Sequence, residues 1–287
     1  MVDVVLKIPF IPRRGEDINV TASEYRIGGC AYTVYKNITL LDSPALLCSP
    51  VGSGVFGLMV KEHLEKEGLK PFVTLEKENG CCYCLVEPDG ERSFLSHHGA
   101  EYLFSRSWMG NIDMDKADSI FICGLEVEED TGDELVAFVY ENPELELYFA
   151  PGPRIRHIPP SRMERLLDRR DKRGKGPFLH LNELEALSFS GKHILAEAAE
   201  YLAVKTGNSV VITRGKQGCY CLEKAGLAGI KVPVSPVKIV NTVGAGDAHC
   251  GALIACIRKG IKLEEACFLA NKAGAAMVSV RGSIPAD

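Results

Sequence analysis

Hydrophobic and polar positions change period many times along this chain. The opening "VDVVLKIP" is a nearly continuous apolar run and reads as a buried strand, beginning abruptly with almost nothing before Asp3 to complete it. "INVTASEYRIGG" alternates as a half-exposed strand does, and "CAYTVYKNITLLD" then sets small and apolar residues at helical spacing. The pair Gly28-Gly29 therefore falls at a strand-to-helix junction. "PALLCSPVGSGVFGLMVKEHLEKEGL" reads as strand, glycine-rich turn and helix closed by Gly68, and "KPFVTLEKENGCCYCLVEPDGERSFLSHHG" as a strand and a hairpin turning at "PDG". Beyond that β patch, "ADSIFICGL", "LELYFAPG", "GPFLHLN" and "NSVVITRG" are short apolar runs with helical segments between them, the rhythm of a parallel sheet with crossover helices. "GCYCLEKAGLAGIKVPVSP" predicts another antiparallel excursion, and "AGDAHCGALIACIRKG" and "LEEACFLANKAGAAMVSV" predict two closing helices. "RMERLLDRRDKRGKG" reads as a solvated helix face and loop.

Composition narrows this α/β picture. With 287 residues, 46% of them hydrophobic, the chain can build one large domain, or a domain with a small appendage. A net charge of -5 provides no broad positive field for nucleic acid or an anionic membrane, so any phosphate site must be local. No apolar run reaches the length of a membrane span and no signal peptide opens the chain, so a cytoplasmic protein is expected. The 11 cysteines are scattered through strand-like and helix-like runs, as reduced thiols serving as small hydrophobes would be. Cys81 and Cys84 form a C-x-x-C, but no second pair stands at zinc spacing.

Two glycine-rich turns compete for the chemistry. "GSGVFG" satisfies G-x-G-x-x-G at Gly52, Gly54 and Gly57, with Glu76 about 20 residues on, and on paper is a dinucleotide fingerprint. Against it, two strands and a helix precede the motif, whereas the fingerprint belongs to the first βαβ unit. The second turn is "VGAGDAHCGAL". Gly244, Ala245 and Gly246 carry little bulk and let backbone N–H groups converge at a helix N-terminus, which makes an anion hole. Asp247 sits in the first turn of that helix, where it can take a proton or hydrogen bond from a substrate hydroxyl. Anion hole and carboxylate together suit phosphoryl transfer to an alcohol; the plainer alternative makes Asp247 a helix cap.

Several segments agree in order and spacing with one family. Asp3 with "IPRRGEDI", Gly28-Gly29, "VGSGVFG", "NELE", "VITRGKQG" and "NTVGAGDAH" resemble, almost end to end, the landmarks of the ribokinase-like (PfkB) carbohydrate and nucleoside kinases, with "GAGD" the most specific. The resemblance implies a ribokinase-like α/β domain over residues 1–287, a central mostly parallel sheet flanked by helices, and a small β-sheet lid from about 5–30 and 78–104. It also implies that Asp247 is the catalytic base and that the N–H groups of Ala245, Gly246 and Asp247 form the anion hole. Asp3, Gly28, Gly29, Thr33 and Glu126 would face the phosphoryl acceptor. Asn182 and Glu185 match the family's N-x-x-E, which helps to organise Mg²⁺, though the same two residues fit a capping box that needs no metal. Thr213, Gly215 and Asn271 would line the ATP pocket. Lid strands pair between subunits in many relatives, so a homodimer is an expectation, and adjacent His97 and His98 point to opposite faces of their strand.

The chain departs from the family pattern at several places. Asn241 stands where Asp is usual, which puts the monovalent-cation site in question; Thr33 stands where Asn is usual, and Val243 near a usual Thr. His249 replaces a common aromatic residue, and both termini look clipped. The expected activity is ATP- and Mg²⁺-dependent phosphorylation of a sugar hydroxyl or hydroxymethyl group. A nucleoside kinase is the nearest alternative; a non-catalytic sugar- or nucleotide-binding regulator and an NAD-dependent oxidoreductase are the rivals from other classes.

Overall fold

The structure is a computed structural model that describes residues 1–239 and 242–279. In chain order, the first half carries β1 (Val2–Lys7), β2 (Ala22–Ile27), α1 (Cys30–Leu40), β3 (Pro50–Ser53), α2 (Gly54–Lys66), β4 (Val73–Glu78), β5 (Cys81–Val86) and β6 (Arg92–His97). The second half carries β7 (Ser119–Cys123), α3 (Gly124–Glu128), α4 (Gly132–Glu141), β8 (Glu146–Ala150), α5 (Pro160–Asp168), β9 (Phe178–Asn182), α6 (Glu183–Ser190) and α7 (Leu195–Thr206). β10 (Val210–Thr213), β11 (Cys219–Leu222), β12 (Ile230–Val232), α8 (Ala245–Arg258) and α9 (Leu263–Ser279) complete it.

The central sheet runs β12-β11-β10-β9-β8-β7. β7 to β10 are parallel, as the four spaced apolar runs predict, and β11 and β12 append antiparallel. Strand periodicity assigns each residue to a layer. Ile122, Leu147, Phe149, Leu179, Leu181, Val210 and Ile212 face one core, shared with residues of α4, α5 and α7. Tyr148, Phe178, Val211, Cys219 and Cys221 face the opposite core, shared with residues of α1, α8 and α9. Both faces are covered, which is why these strands read as unbroken apolar runs rather than alternating ones.

A four-stranded sheet, β2-β1-β5-β6, stands apart from the central one. β1 pairs parallel with β5, while β2 and β6 add antiparallel on the two edges. Its two faces differ in character. Val2, Val4 and Cys81 pack into a third core with residues of α1, β3 and α2. The register places Arg26, Asp3, Cys82 and Ser96 in one row of the other face. β3 and β4 pair only with each other among the described residues.

The basic segment 162–176 exposes most of its charged residues, as its charge predicts, but three of them turn inward. Arg162 and Arg169 are buried, and so is Asp171. Arg162 donates through Nη1 to the carbonyls of Val127, Glu128 and Glu129 at the end of α3, and through Nη2 to Asp133. Arg169 donates to the carbonyls of Val139, Asn142 and Leu145 around the end of α4. Each guanidinium, with five donors, satisfies carbonyls that a helix end leaves unpaired, and that role outweighs the charge count.

Candidate active site

The strand parity that sorts the cores also builds the site. Cys123, Asn182 and Thr213 are the last residues of three parallel strands, and alternation turns all three toward the α8 side. A parallel sheet offers its ligand sites at these carboxyl ends.

α8 begins there. Its N-cap, Gly244, has φ 77, a left-handed conformation that a side chain would strain. The chain thus turns sharply into the helix, where the N–H groups of Gly246 and Asp247 lack intrahelical acceptors. Space is open where Gly246 would carry a Cβ, so a ligand can approach the backbone directly. Asp247 lies half-buried beside this opening. Burial raises its pKa, partly offset by a hydrogen bond from Cys30 Sγ to Oδ1 at 2.9 Å.

Three more carboxylates converge on it. Asp3, 9% exposed, is pushed up to about 6 by burial, with the Met1 ammonium opposing the effect, Asp247's charge adding to it and Arg26 opposing it more weakly. Glu126 closes a capping box at α3, its Oε2 accepting from Cys123 N at 3.2 Å and Cys123 Sγ at 2.7 Å. Burial raises Glu126, and again Asp247's charge adds to it. Glu185 is raised by burial and by Asp247 in the same way. Repulsion from Asp247 on each of Asp3, Glu126 and Glu185 means that all three lie within electrostatic reach of it. Two cations act on Asp3, the Met1 ammonium and, more weakly, Arg26, which is held by Glu24 through bonds of 2.9 and 2.6 Å.

Asn182 and Glu185 form a complete capping box. Asn182 Oδ1 accepts from Glu185 N at 2.8 Å, Glu185 Oε2 accepts from Asn182 N at 3.0 Å, and Asn182 Nδ2 reaches Glu185 Oε1 at 2.6 Å. The box fixes the carboxylate at the mouth of α6 without removing it from the Asp247 side. Gly28 and Gly29 carry the chain from β2 into α1, and Thr33 is buried in that helix at 1% exposure. Thr213 donates to the Leu181 carbonyl at 3.3 Å, and Gly215 opens the short turn after it. Asn271, buried in α9, donates to the carbonyls of Val232 and Pro233 at 2.9 and 3.3 Å, tying α9 to the end of β12. Asn241 lies outside the described residues.

Some contacts at the site are not visible in the sequence motifs. Cys30 is one, and its only signal is its place directly after the glycine pair. Another is a buried pair beneath the pocket, His180 Nε2 to His249 Nδ1 at 2.9 Å, which joins β9 to α8; burial lowers both pKa values, to about 4 for His180, so both rings are neutral. A third is Arg92 of β6, which donates to Thr242 Oγ1 at 2.8 Å, bringing the small sheet to the loop before α8. His98 is bonded to Glu129 and stacks on Tyr102 with ring centroids 4.3 Å apart.

Two glycines of the "GSGVFG" turn are needed by the protein's own backbone, with no cofactor required to explain them. A Cβ on Gly52 would lie 2.3 Å from the Lys77 carbonyl oxygen, and one on Gly57 would lie 2.1 Å from that of Gly52. These glycines permit close packing of the protein's own backbone. In the other candidate motif, β5 pairing puts Cys81 and Cys84 on opposite faces. Among the described residues no group of three or more His, Cys, Asp or Glu could hold a metal ion, and no helix is long and apolar enough to cross a membrane.

A family profile described as pfkB family carbohydrate kinase matches residues 1–142 and 171–287. The chain belongs to the pfkB family. This carbohydrate kinase is 29% identical over 287 residues to YegV, an uncharacterized sugar kinase of Escherichia coli (strain K12), covering 98% of this chain and 87% of that protein. Its fold is that of ribokinases. The ribokinase of Thermotoga maritima superimposes with a TM-score of 0.81 at 20% identity, covering 99% of the kinase and 93% of its counterpart. The Cryptococcus neoformans var. grubii enzyme, a ribokinase in complex with ADP, gives 0.75 at 22% identity, covering 99% and 94%.

Proposed function

We propose that the kinase transfers the γ-phosphoryl group of ATP to a hydroxymethyl or other hydroxyl group of a sugar, with Asp247 as base. The observation that carries this reading is the meeting of Asp247 with the open N-terminus of α8 on one side and Asp3 and Glu126 on the other. Backbone donors fixed in advance stabilise charge on the transferring group, and Asp247 orients the hydroxyl and accepts its proton. Asp3 and Glu126 accept hydrogen bonds from the other hydroxyls of the sugar, which suits carboxylates short of donors. Gly28 and Gly29 let the backbone approach the ring, while Thr213, Gly215 and Asn271 border the nucleotide.

The donor set near Asp247 fits Mg²⁺, which keeps several waters and takes few protein carboxylates. Glu185, with Asn182, would hold it through those waters. When bound, the ion neutralises phosphate charge. The small four-stranded sheet serves as the lid, its Asp3-bearing face toward the acceptor, and the Arg92–Thr242 hydrogen bond supports that closure. Tyr25, Tyr83 and Leu95, adjacent in register and exposed on the opposite face, support pairing of two lids in a homodimer. Free thiols at all eleven cysteines are consistent with a cytoplasmic setting.

A nucleoside acceptor is the second reading, favoured by Phe94, which is exposed on the lid face that carries Asp3 and is able to stack a base. The test is phosphoryl transfer from ATP with Mg²⁺ across a panel of sugars and nucleosides, run beside Asp247→Asn. Turnover with one acceptor, falling by about 10² or more in the variant, is the expected result. Equal turnover in the two proteins would remove Asp247 from the mechanism.

A further inference from the structure

The base has a partner that the reaction does not itself require. Cys30 is the first residue of α1, immediately after Gly29, and its thiol points across the pocket at Asp247, 217 residues away in sequence. Behind it stands a second thiol, that of Cys123, near enough for each sulfur to influence the other. Each sulfur has a single proton to give. Cys30 gives its proton to Asp247 Oδ1 at 2.9 Å, and Cys123 gives its own to Glu126 Oε2 at 2.7 Å. The two sulfurs therefore stand back to back, each supporting one carboxylate of the pocket.

We propose that Cys30 is a positioning residue for the base: its thiol holds Oδ1 of Asp247, so that Oδ2 is the oxygen presented to the acceptor hydroxyl. This rests on the reading of Asp247 as base. A carboxylate with both oxygens free rotates about its Cβ–Cγ bond and offers its lone pairs in many directions. One fixed oxygen removes that freedom, and orientation of this kind is a large part of the advantage of an enzyme over solution.

The choice of a thiol matters. An S–H is a weak donor, so it orients the carboxylate while withdrawing little of its basicity, whereas a hydroxyl in the same place would hold the anion more firmly and make it a poorer base. The other groups that bear on Asp247 work the opposite way. Asp3 on β1, Glu126 on α3 and Glu185 on α6 are carboxylates coupled to it by repulsion, and Cys250 on α8 feels its charge. Cys30 is the side chain whose hydrogen bond favours the ionised form of Asp247.

The full-length protein, labelled with ¹³C at aspartate carboxyl carbons, is titrated by NMR as wild type, Cys30→Ser and Cys30→Ala, with Asp247→Asn used only to assign the resonance. No acceptor is needed. The Asp247 midpoint is expected to rise by about half to one pH unit in Cys30→Ala, and to stay at or below the wild-type value in Cys30→Ser. In turnover, the acid limb of the kcat/KM profile should move upward in the alanine variant and be restored by serine. Coincident midpoints in all three proteins would overturn the proposal, as would an equal loss of rate at every pH in both variants. Undiminished turnover in Asp247→Asn, with the NMR order intact, would instead overturn the base reading on which the proposal stands.

Discussion

Asp3 should make the protein less stable than it could be. Its carboxyl is buried at 9% exposure and titrates near 6 instead of the ordinary 3.8. The folded state therefore binds a proton that the unfolded chain has already lost. Below about pH 3.8 Asp3 is protonated in both states and is neutral toward stability. Between 3.8 and 6 the folded protein loses stability as pH rises, and above 6 the full penalty is present. At about 1.36 kcal/mol per pH unit it amounts to about 3 kcal/mol. Asp3→Asn never ionises, so its advantage over wild type should grow from near zero at pH 4 to about 3 kcal/mol at pH 7. For a chain of this length that is a rise in Tm of about 5 °C. Thermal unfolding of both proteins without ligand, at pH values from 4 to 8, measures it directly. An offset that does not change with pH, or a variant less stable at pH 8, would refute the reasoning. The same substitution should lower kcat/KM for the acceptor by about tenfold or more, because an amide cannot replace a charged acceptor of hydroxyl hydrogen bonds. Stability and catalysis then move in opposite directions at one atom, the signature of a group retained for its function.

Two further substitutions separate function from structure. Glu185→Gln should raise the Mg²⁺ concentration needed for half-maximal rate several-fold, whereas a role limited to the capping box would leave the Mg²⁺ titration unchanged. Arg169→Leu should destabilise the protein by about 3 kcal/mol or more in chemical denaturation, because the carbonyls of Val139, Asn142 and Leu145 lose their donor inside the protein. A change below about 1 kcal/mol would mean that water takes over that role.

What the sequence revealed and what it hid divide along physical lines. The parallel strands were legible because burial on both faces leaves unbroken apolar runs, as in "LYFA" and "VVIT". The turn into α8 was legible because a left-handed N-cap and an open first turn demand small residues at fixed spacing, and Gly244, Ala245 and Gly246 supply them. Asn182 and Glu185 were legible as a pair because a capping box is local. Contacts made across the fold were not. Nothing near Cys30 in the chain announces Asp247, and nothing near Arg169 announces the carbonyls that bury it, so charge alone assigned its segment to the surface. "GSGVFG" failed in the opposite direction: a glycine pattern records close backbone approach without saying whether a cofactor or the protein's own backbone makes it.

Charge balance in the pocket bears on how the proposed reaction must proceed. Asp3, Glu126 and Glu185 lie within electrostatic reach of Asp247, and the Met1 ammonium and an Arg26 already held by Glu24 are the opposing charges at Asp3, so the acceptor side is rich in carboxylates. A bare nucleotide triphosphate entering there would meet repulsion, whereas one carrying Mg²⁺ brings compensating charge toward Glu185. The positive end of α8 lies at Asp247 and is the place that the proposed reaction gives to the transferring group. Asp247 thus stands at the boundary between a region that attracts hydroxyls and a region that attracts phosphate. Its raised pKa brings it closer to a hydroxyl's proton affinity than an exposed aspartate would be, and that proton leaves most easily as the new bond to phosphorus forms. In the proposed reaction, the burial that weakens the fold around these carboxylates also equips one of them to accept the proton.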